Sequence, residues 1–121
     1  REMRIRNRAD TFADALISYH DIMEAVVSWG TGEEKGGVTP ANIAAFGKEV
    51  ERLDRSWQEV LAFPAKGGTP AEDTRLRSLL RAETRAIEAL EAVVRARDYG
   101  KIPAAAKKLK QSFIAVYLEF G

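Results

Sequence analysis

A chain of 121 residues, 45% apolar and 31% charged, has the makings of one globular domain rather than a disordered segment. Its formal net charge of +1 gives no global field to draw nucleic acid or an anionic membrane. The absence of cysteine excludes disulfides, thiolate metal sites, covalent c-type haem and cysteine nucleophiles, and no apolar run reaches the roughly 18 residues that span a bilayer.

In the first segment Ile5, Ala9, Phe12, Leu16, Tyr19, Met23 and Val26 recur at alternating spacings of four and three, the stripe of one buried helix face. The pattern predicts a helix near 3–29. It stops in the loop 30–37, where Gly30, Gly32, Gly36 and Gly37 make continued helix costly. Thr39-Pro40 supplies a capping oxygen and a first-turn proline, which predicts a second helix near 41–63 with the stripe Ile43, Phe46, Val50, Leu53, Trp57 and Val60. Phe63-Pro64 and Gly67-Gly68 end it.

Thr69 and Glu72 have capping-box spacing and open a third helix near 70–97. Its stripe is Leu76, Leu80, Ile87, Leu90 and Val94, widened by Leu79 and Val93, and Glu83 falls on the same seam. After the turn Asp98-Tyr99-Gly100, a fourth helix near 102–120 carries Ile102, Ala106, Leu109, Phe113, Val116 and Phe120. No segment alternates with the period of a strand. Four stripes and three loops predict an all-α, antiparallel up-down-up-down four-helix bundle forming a single domain over 1–121. Phe46, Leu53, Trp57, Leu80, Leu90, Leu109 and Val116 are its expected core.

Few residues suggest chemistry. A lone histidine, His20, excludes the paired Glu-x-x-His pattern of a bundle di-iron site; His20 and Glu24, one turn apart, have the spacing of two ligands on one metal edge or of a surface pair, and the pair is the reading adopted, so no metal site is expected. Glu83 has two readings: a buried, proton-binding carboxyl with a raised pKa, or a carboxylate that reaches solvent or pairs with Arg77, Arg81 or Arg85. Glu88 and Glu91 read as solvated partners of Arg85 and Arg95. Loop 30–37 lacks the Gly-Lys-Ser/Thr ending of a phosphate loop. Trp29 reads as a helix-end plug and Trp57 as core. No serine has a histidine at a spacing that suggests a hydrolase triad, and no catalytic residue is assigned. The basic groups Arg1, Arg4, Arg6 and Arg8, and Lys107, Lys108 and Lys110, read as solvated helix faces.

The segment from Arg97-Asp98-Tyr99-Gly100 to Ser112-Phe113-Ile114-Ala115-Val116-Tyr117-Leu118-Glu119-Phe120 resembles the C-terminal half of the cytochrome c′ family. That family ends with a Cys-x-x-Cys-His motif and a following aromatic. Here Phe113 and Val116 stand where the cysteines would be, Tyr117 where the axial histidine would be, and Phe120 at the late aromatic. Arg8 and Phe12 resemble the family's helix-one arginine and distal-pocket residue. The resemblance implies a bundle, an exported or periplasmic location and helix-mediated pairing. It does not carry over haem, because all three ligating positions are replaced; Phe12, Phe113, Val116 and Tyr117 are expected to fill the vestigial haem site.

The chain starts at Arg1 rather than Met, from which we expect it to have been cut, either by a signal peptidase removing a leader or by deliberate trimming of the expressed chain. The expected function is non-catalytic and haem-free: an interaction or accessory scaffold subunit of an exported redox assembly, with a protein partner or a second copy bound. The competing expectation is a module that holds a small apolar ligand or non-covalent haem at the former haem cavity. An enzyme would require a solvent-reaching pocket at Glu83 with a second polar group aimed into it.

Overall fold

The computed structural model describes residues 12–63 and 70–120, with side chains for all of these except 70–73 and 120. The expectations for Arg1, Arg4, Ile5, Arg6, Arg8 and Ala9, for Pro64 and Gly67-Gly68, for the Thr69/Glu72 capping box and for the Phe120 side chain lie outside the described residues.

The described residues form four α-helices, α1 Phe12–Gly30, α2 Ile43–Leu61, α3 Pro70–Arg95 and α4 Ile102–Phe120, with a 3-10 turn at Tyr99–Lys101. They contain no strand. Helix α1 packs on α2 and α4, and α3 packs on α4 and α2, so each helix has two neighbours and one diagonal opposite. None of the four helices is long and apolar enough to cross a membrane.

The stripes make the core. Leu16, Tyr19, Met23, Phe46, Leu53, Trp57, Leu76, Leu90, Leu109, Phe113 and Val116 are all buried. Burying side chains of this size stabilises by about 1.5–3 kcal/mol each, which is what holds four individually marginal helices together. Leu80 departs from expectation: it is only partly buried, at the open side of α3. Helices α1 and α4 approach closely at Gly30, where an added Cβ would lie 2.7 Å from the Cβ of Ala106 on α4. Trp29 plugs this end, buried edge-on against Phe46 with its indole N–H donated to the Gly37 carbonyl at 3.1 Å.

Three helix ends lie two residues inside the expected bounds: both ends of α2, at Ile43 and Leu61, and the end of α3 at Arg95. Helix α2 begins at Ile43, not behind a Thr39 cap with Pro40 in its first turn. Thr39 instead closes a separate turn: its carbonyl accepts from the N–H groups of Asn42 and Ile43 at 3.1 and 2.9 Å. Asn42 Oδ1 accepts from the Thr39 N–H at 2.7 Å while its Nδ2 donates to the Gly37 carbonyl at 3.0 Å, so that side chain braces the loop and does not cap the helix. Helix α3 ends at Arg95 because Arg97 takes a left-handed conformation, φ 56°. The Asp98 N–H then bonds the Val93 carbonyl and the Arg97 N–H that of Val94, at 2.9 and 3.0 Å, the Schellman pattern.

Candidate functional site

At the middle of the bundle the apolar stripe of α3 is interrupted by Glu83, which has no exposed surface. Arg77, Arg81 and Arg85 lie on the exposed side of the same helix and cannot reach it. The partner is Tyr19, from the diagonal helix α1, whose hydroxyl donates to Glu83 Oε2 at 2.5 Å. Among the described residues Glu83 Oε1 is buried with no hydrogen-bond partner. The reading in which Glu83 reaches water or an arginine is therefore overturned, and the buried carboxyl is the one observed.

Burial pushes the Glu83 pKa from 4.5 up to about 8, the hydrogen bond from Tyr19 opposing only part of that rise. Removing a carboxylate from water is costly, and one donor does not replace its hydration. Near neutral pH Glu83 therefore holds its proton. The Tyr19 hydroxyl is pushed well above its usual 10, first by burial, then by the charge and hydrogen bond of Glu83 and the charge of Asp54. Both groups are thus neutral at pH 7.

Next to this pair the Trp57 indole N–H donates to Thr84 Oγ1 at 2.8 Å, and the Thr84 hydroxyl donates to the Leu80 carbonyl at 3.1 Å. The Tyr19 ring lies 4.8 Å from Trp57 and 5.5 Å from Phe113, centroid to centroid. Across the α2–α3 seam Glu91 is partly buried, and its pKa is raised by that burial, then by the charge and hydrogen bond of Asp54, with Arg95 opposing. Glu91 thus feels Arg95, as expected of that pair, but it is partly buried rather than fully solvated.

The four positions assigned to a vestigial haem site part company. Phe113 and Val116 are core residues, and Phe12 is buried. Phe12 does not join Phe113 but stands edge-on to Phe63, 6.5 Å away. Tyr117 is 47% exposed, so it does not fill the interior. Its ring stacks on Phe113 and His20 at 5.9 and 6.4 Å. The reason is helical phase: Ile102, Ala106, Leu109, Phe113 and Val116 define the buried face of α4, and Tyr117 falls at its margin.

His20 and Glu24 pair as expected, Nε2 to Oε2 at 3.2 Å, and Lys110 of α4 reaches the same Glu24 oxygen at 3.4 Å. Among the described residues no three potential ligands converge to hold a metal ion.

Beside Tyr117 lies a feature that the sequence reading did not single out. Ile17 (51% exposed), Ile114 (44%) and Leu118 (79%) are large apolar residues open to solvent. Ile17, His20 and Glu24 follow one another at helical spacing on α1, and Lys110, Ile114 and Tyr117 do so on α4. The Glu24–Lys110 pair and the His20–Tyr117 stack place these two rows side by side. The signal was present in the sequence: Ile114 and Leu118 lie off the stripe of their helix.

No family model, curated protein or solved structure matches the chain.

Proposed function

We propose that this chain is a haem-free, cytochrome c′-like bundle that works by binding a protein, as an interaction or accessory subunit, and performs no catalysis. The observation that carries the reading is the apolar surface on the α1–α4 face, where Ile17, Ile114, Tyr117 and Leu118 stand open to water. Clustered apolar side chains of this size mark association surfaces more often than ordinary solvated ones. Aromatic residues at the centre of such a patch commonly supply the binding energy, and Tyr117 occupies that place.

The same reading takes the helices as up-down-up-down. Its support is the order of the contacts: Phe12 meets Phe63 while Trp29 meets Phe46, and Arg75 pairs with Glu119 at 2.8 Å. The interior supports a haem-free state, because Phe113 and Val116 fill the positions where the family carries its cysteines. Glu83 and Tyr19 are sealed from solvent, which suits a structural pair better than an acid–base centre. An exported location, within a redox assembly, completes the proposal and follows from the family likeness alone.

The test is sedimentation of the full chain, together with recovery of its complex from the native source using a tagged copy. The double variant Ile114→Asp, Leu118→Lys leaves the core untouched. It should keep the helical circular dichroism and lose the self-association or the complex. A complex that survives the double variant, or a chain that is monomeric and recovers nothing, refutes the reading. An absorption spectrum of the same preparation should show no Soret band.

A further inference from the structure

On another side of the bundle, where α2 and α3 face each other near Phe12, a groove of about 450 Å³ opens. Its walls are Phe12, Leu61, Phe63 and Leu80, with Thr84 deeper along α3 and the guanidinium-bearing residues Arg77 and Arg81 beside them. A volume in the range of roughly 300–1,000 Å³, mostly apolar with a few placed polar groups, is the ordinary anatomy of a small-molecule site. We infer that this groove binds a long-chain carboxylate, its alkyl chain against Phe12, Leu61, Phe63 and Leu80 and its head group on Arg77 and Arg81.

Charge decides the class of ligand. Arg77 and Arg81 stand one helical turn apart, on the same side of α3. Among the described residues neither is held in an ion pair, whereas Arg75, two positions earlier, is engaged by Glu119 at 2.8 Å. Two free guanidiniums at a helical spacing, next to an apolar wall, complement a single anionic head on an apolar tail. Arginine is suited to that head, since its planar fork grips a carboxylate through two N–H bonds. A purely apolar ligand would leave both guanidiniums unused, and a small inorganic anion would leave the apolar wall wet.

The groove also carries its own reporter. Thr84 lines it and accepts the Trp57 indole N–H at 2.8 Å, so an occupant that touches Thr84 perturbs the emission of Trp57. The site is separate from the α1–α4 face, and the inference does not depend on the proposed interaction role.

The experiment is a fluorescence titration of the full chain in a Trp29→Phe background, which leaves Trp57 as the only indole. The ligands are decanoate and decanol, both below their aggregation limits. Decanoate should saturate a single site, and decanol should bind at least about tenfold more weakly, as expected for the loss of a charge-assisted contact. Arg77→Gln with Arg81→Gln should erase that difference. Leu61→Asp, at a residue already partly open to solvent, should abolish binding of both ligands while helicity persists. Arg52→Gln, a charge change away from the groove, should change nothing. Equal affinities for acid and alcohol, indifference of the acid to the double arginine variant, or a signal seen only with anionic vesicles and not with monomeric decanoate would each overturn the inference.

Discussion

Glu83 makes the stability of this bundle depend on pH in a direction opposite to that of most carboxylates. Its pKa stands at about 8 in the folded chain against an ordinary 4.5. Between those two values the unfolded chain has released the proton and the folded chain has kept it, so folding takes up a proton. The free energy of unfolding is therefore highest below about pH 4.5, falls as pH rises through the window and levels off above about pH 8. At about 1.4 kcal/mol per pH unit the whole interval is worth roughly 5 kcal/mol, a large part of the total stability of about 5–15 kcal/mol typical of a domain. Glu91, raised by its own burial and by Asp54, adds to the fall with the same sign. Tyr19 stays protonated throughout, because its pKa lies well above 10. The assay is urea unfolding followed by tryptophan emission at a series of pH values from about 5 to 9, on the parent and on Glu83→Gln. The amide cannot ionise, so the variant should gain on the parent steadily across the window and hold a constant lead beyond it. The absolute offset includes about 1–3 kcal/mol for burying an amide N–H₂ without an acceptor, so the pH dependence of the difference is the quantity to read. Tyr19→Phe should extend the window upward, since it removes the one hydrogen bond that lowers the Glu83 pKa. Parallel curves for parent and Glu83→Gln between pH 5 and 8 would refute the reasoning, because they would mean that Glu83 ionises as freely in the fold as out of it.

Three further substitutions probe the packing. Trp57→Ala should cost about 3–5 kcal/mol in the same urea assay, since Trp57 is wholly buried and its removal also takes away the N–H donated to Thr84 Oγ1. A loss within about 0.5 kcal/mol, the size of an ordinary surface substitution, would place Trp57 at the surface. Gly30→Ala should destabilise by about 1–3 kcal/mol, because its Cβ would come within 2.7 Å of that of Ala106 and the helices α1 and α4 would have to part; an unchanged or raised midpoint would deny that close approach. Arg97→Gly should stabilise by about 1 kcal/mol by relieving the left-handed backbone at φ 56°, and a loss of stability would show that the Arg97 side chain contributes more than its backbone costs.

The four helices were legible because each carries an apolar stripe at helical spacing, broken only by Glu83 in α3, and because burial largely follows the stripe: positions such as Leu53, Leu90 and Leu109 need no knowledge of the partner helix to be placed inside. What failed was of three kinds. The start of α2 was misplaced because Thr39-Pro40, which has the look of a helix start, instead forms a separate turn braced by the Asn42 side chain. Tyr117 was turned inward by alignment to a family motif, whereas the phase of α4 alone sets it at the margin. The Glu83–Tyr19 bond was invisible because it joins diagonal helices. Each residue stood out within its own stripe as polar-tipped, but their meeting depends on the rotation of α1 and α3 about their own axes, which no local pattern encodes.

That rotation is fixed by two consecutive residues of α3. Glu83 reaches across the core to α1, and Thr84 turns towards α2 to take the Trp57 indole N–H. Successive residues on a helix point about 100° apart, so the two bonds hold α3 from two directions at once. Turning α3 by one residue would break both, carry Glu83 towards solvent and bring a neighbour such as Ala82, with no polar group, to face Tyr19. A leucine at position 83 would pack without the desolvation cost of a carboxyl but would leave the Tyr19 hydroxyl buried without a partner and free one of the two constraints. The same rotation that satisfies Tyr19 and Trp57 directs Arg77 and Arg81 to the groove beside Leu80. The buried pair and the basic groove are thus two consequences of one setting of α3, and Glu83→Leu should loosen the groove even where it raises the unfolding midpoint.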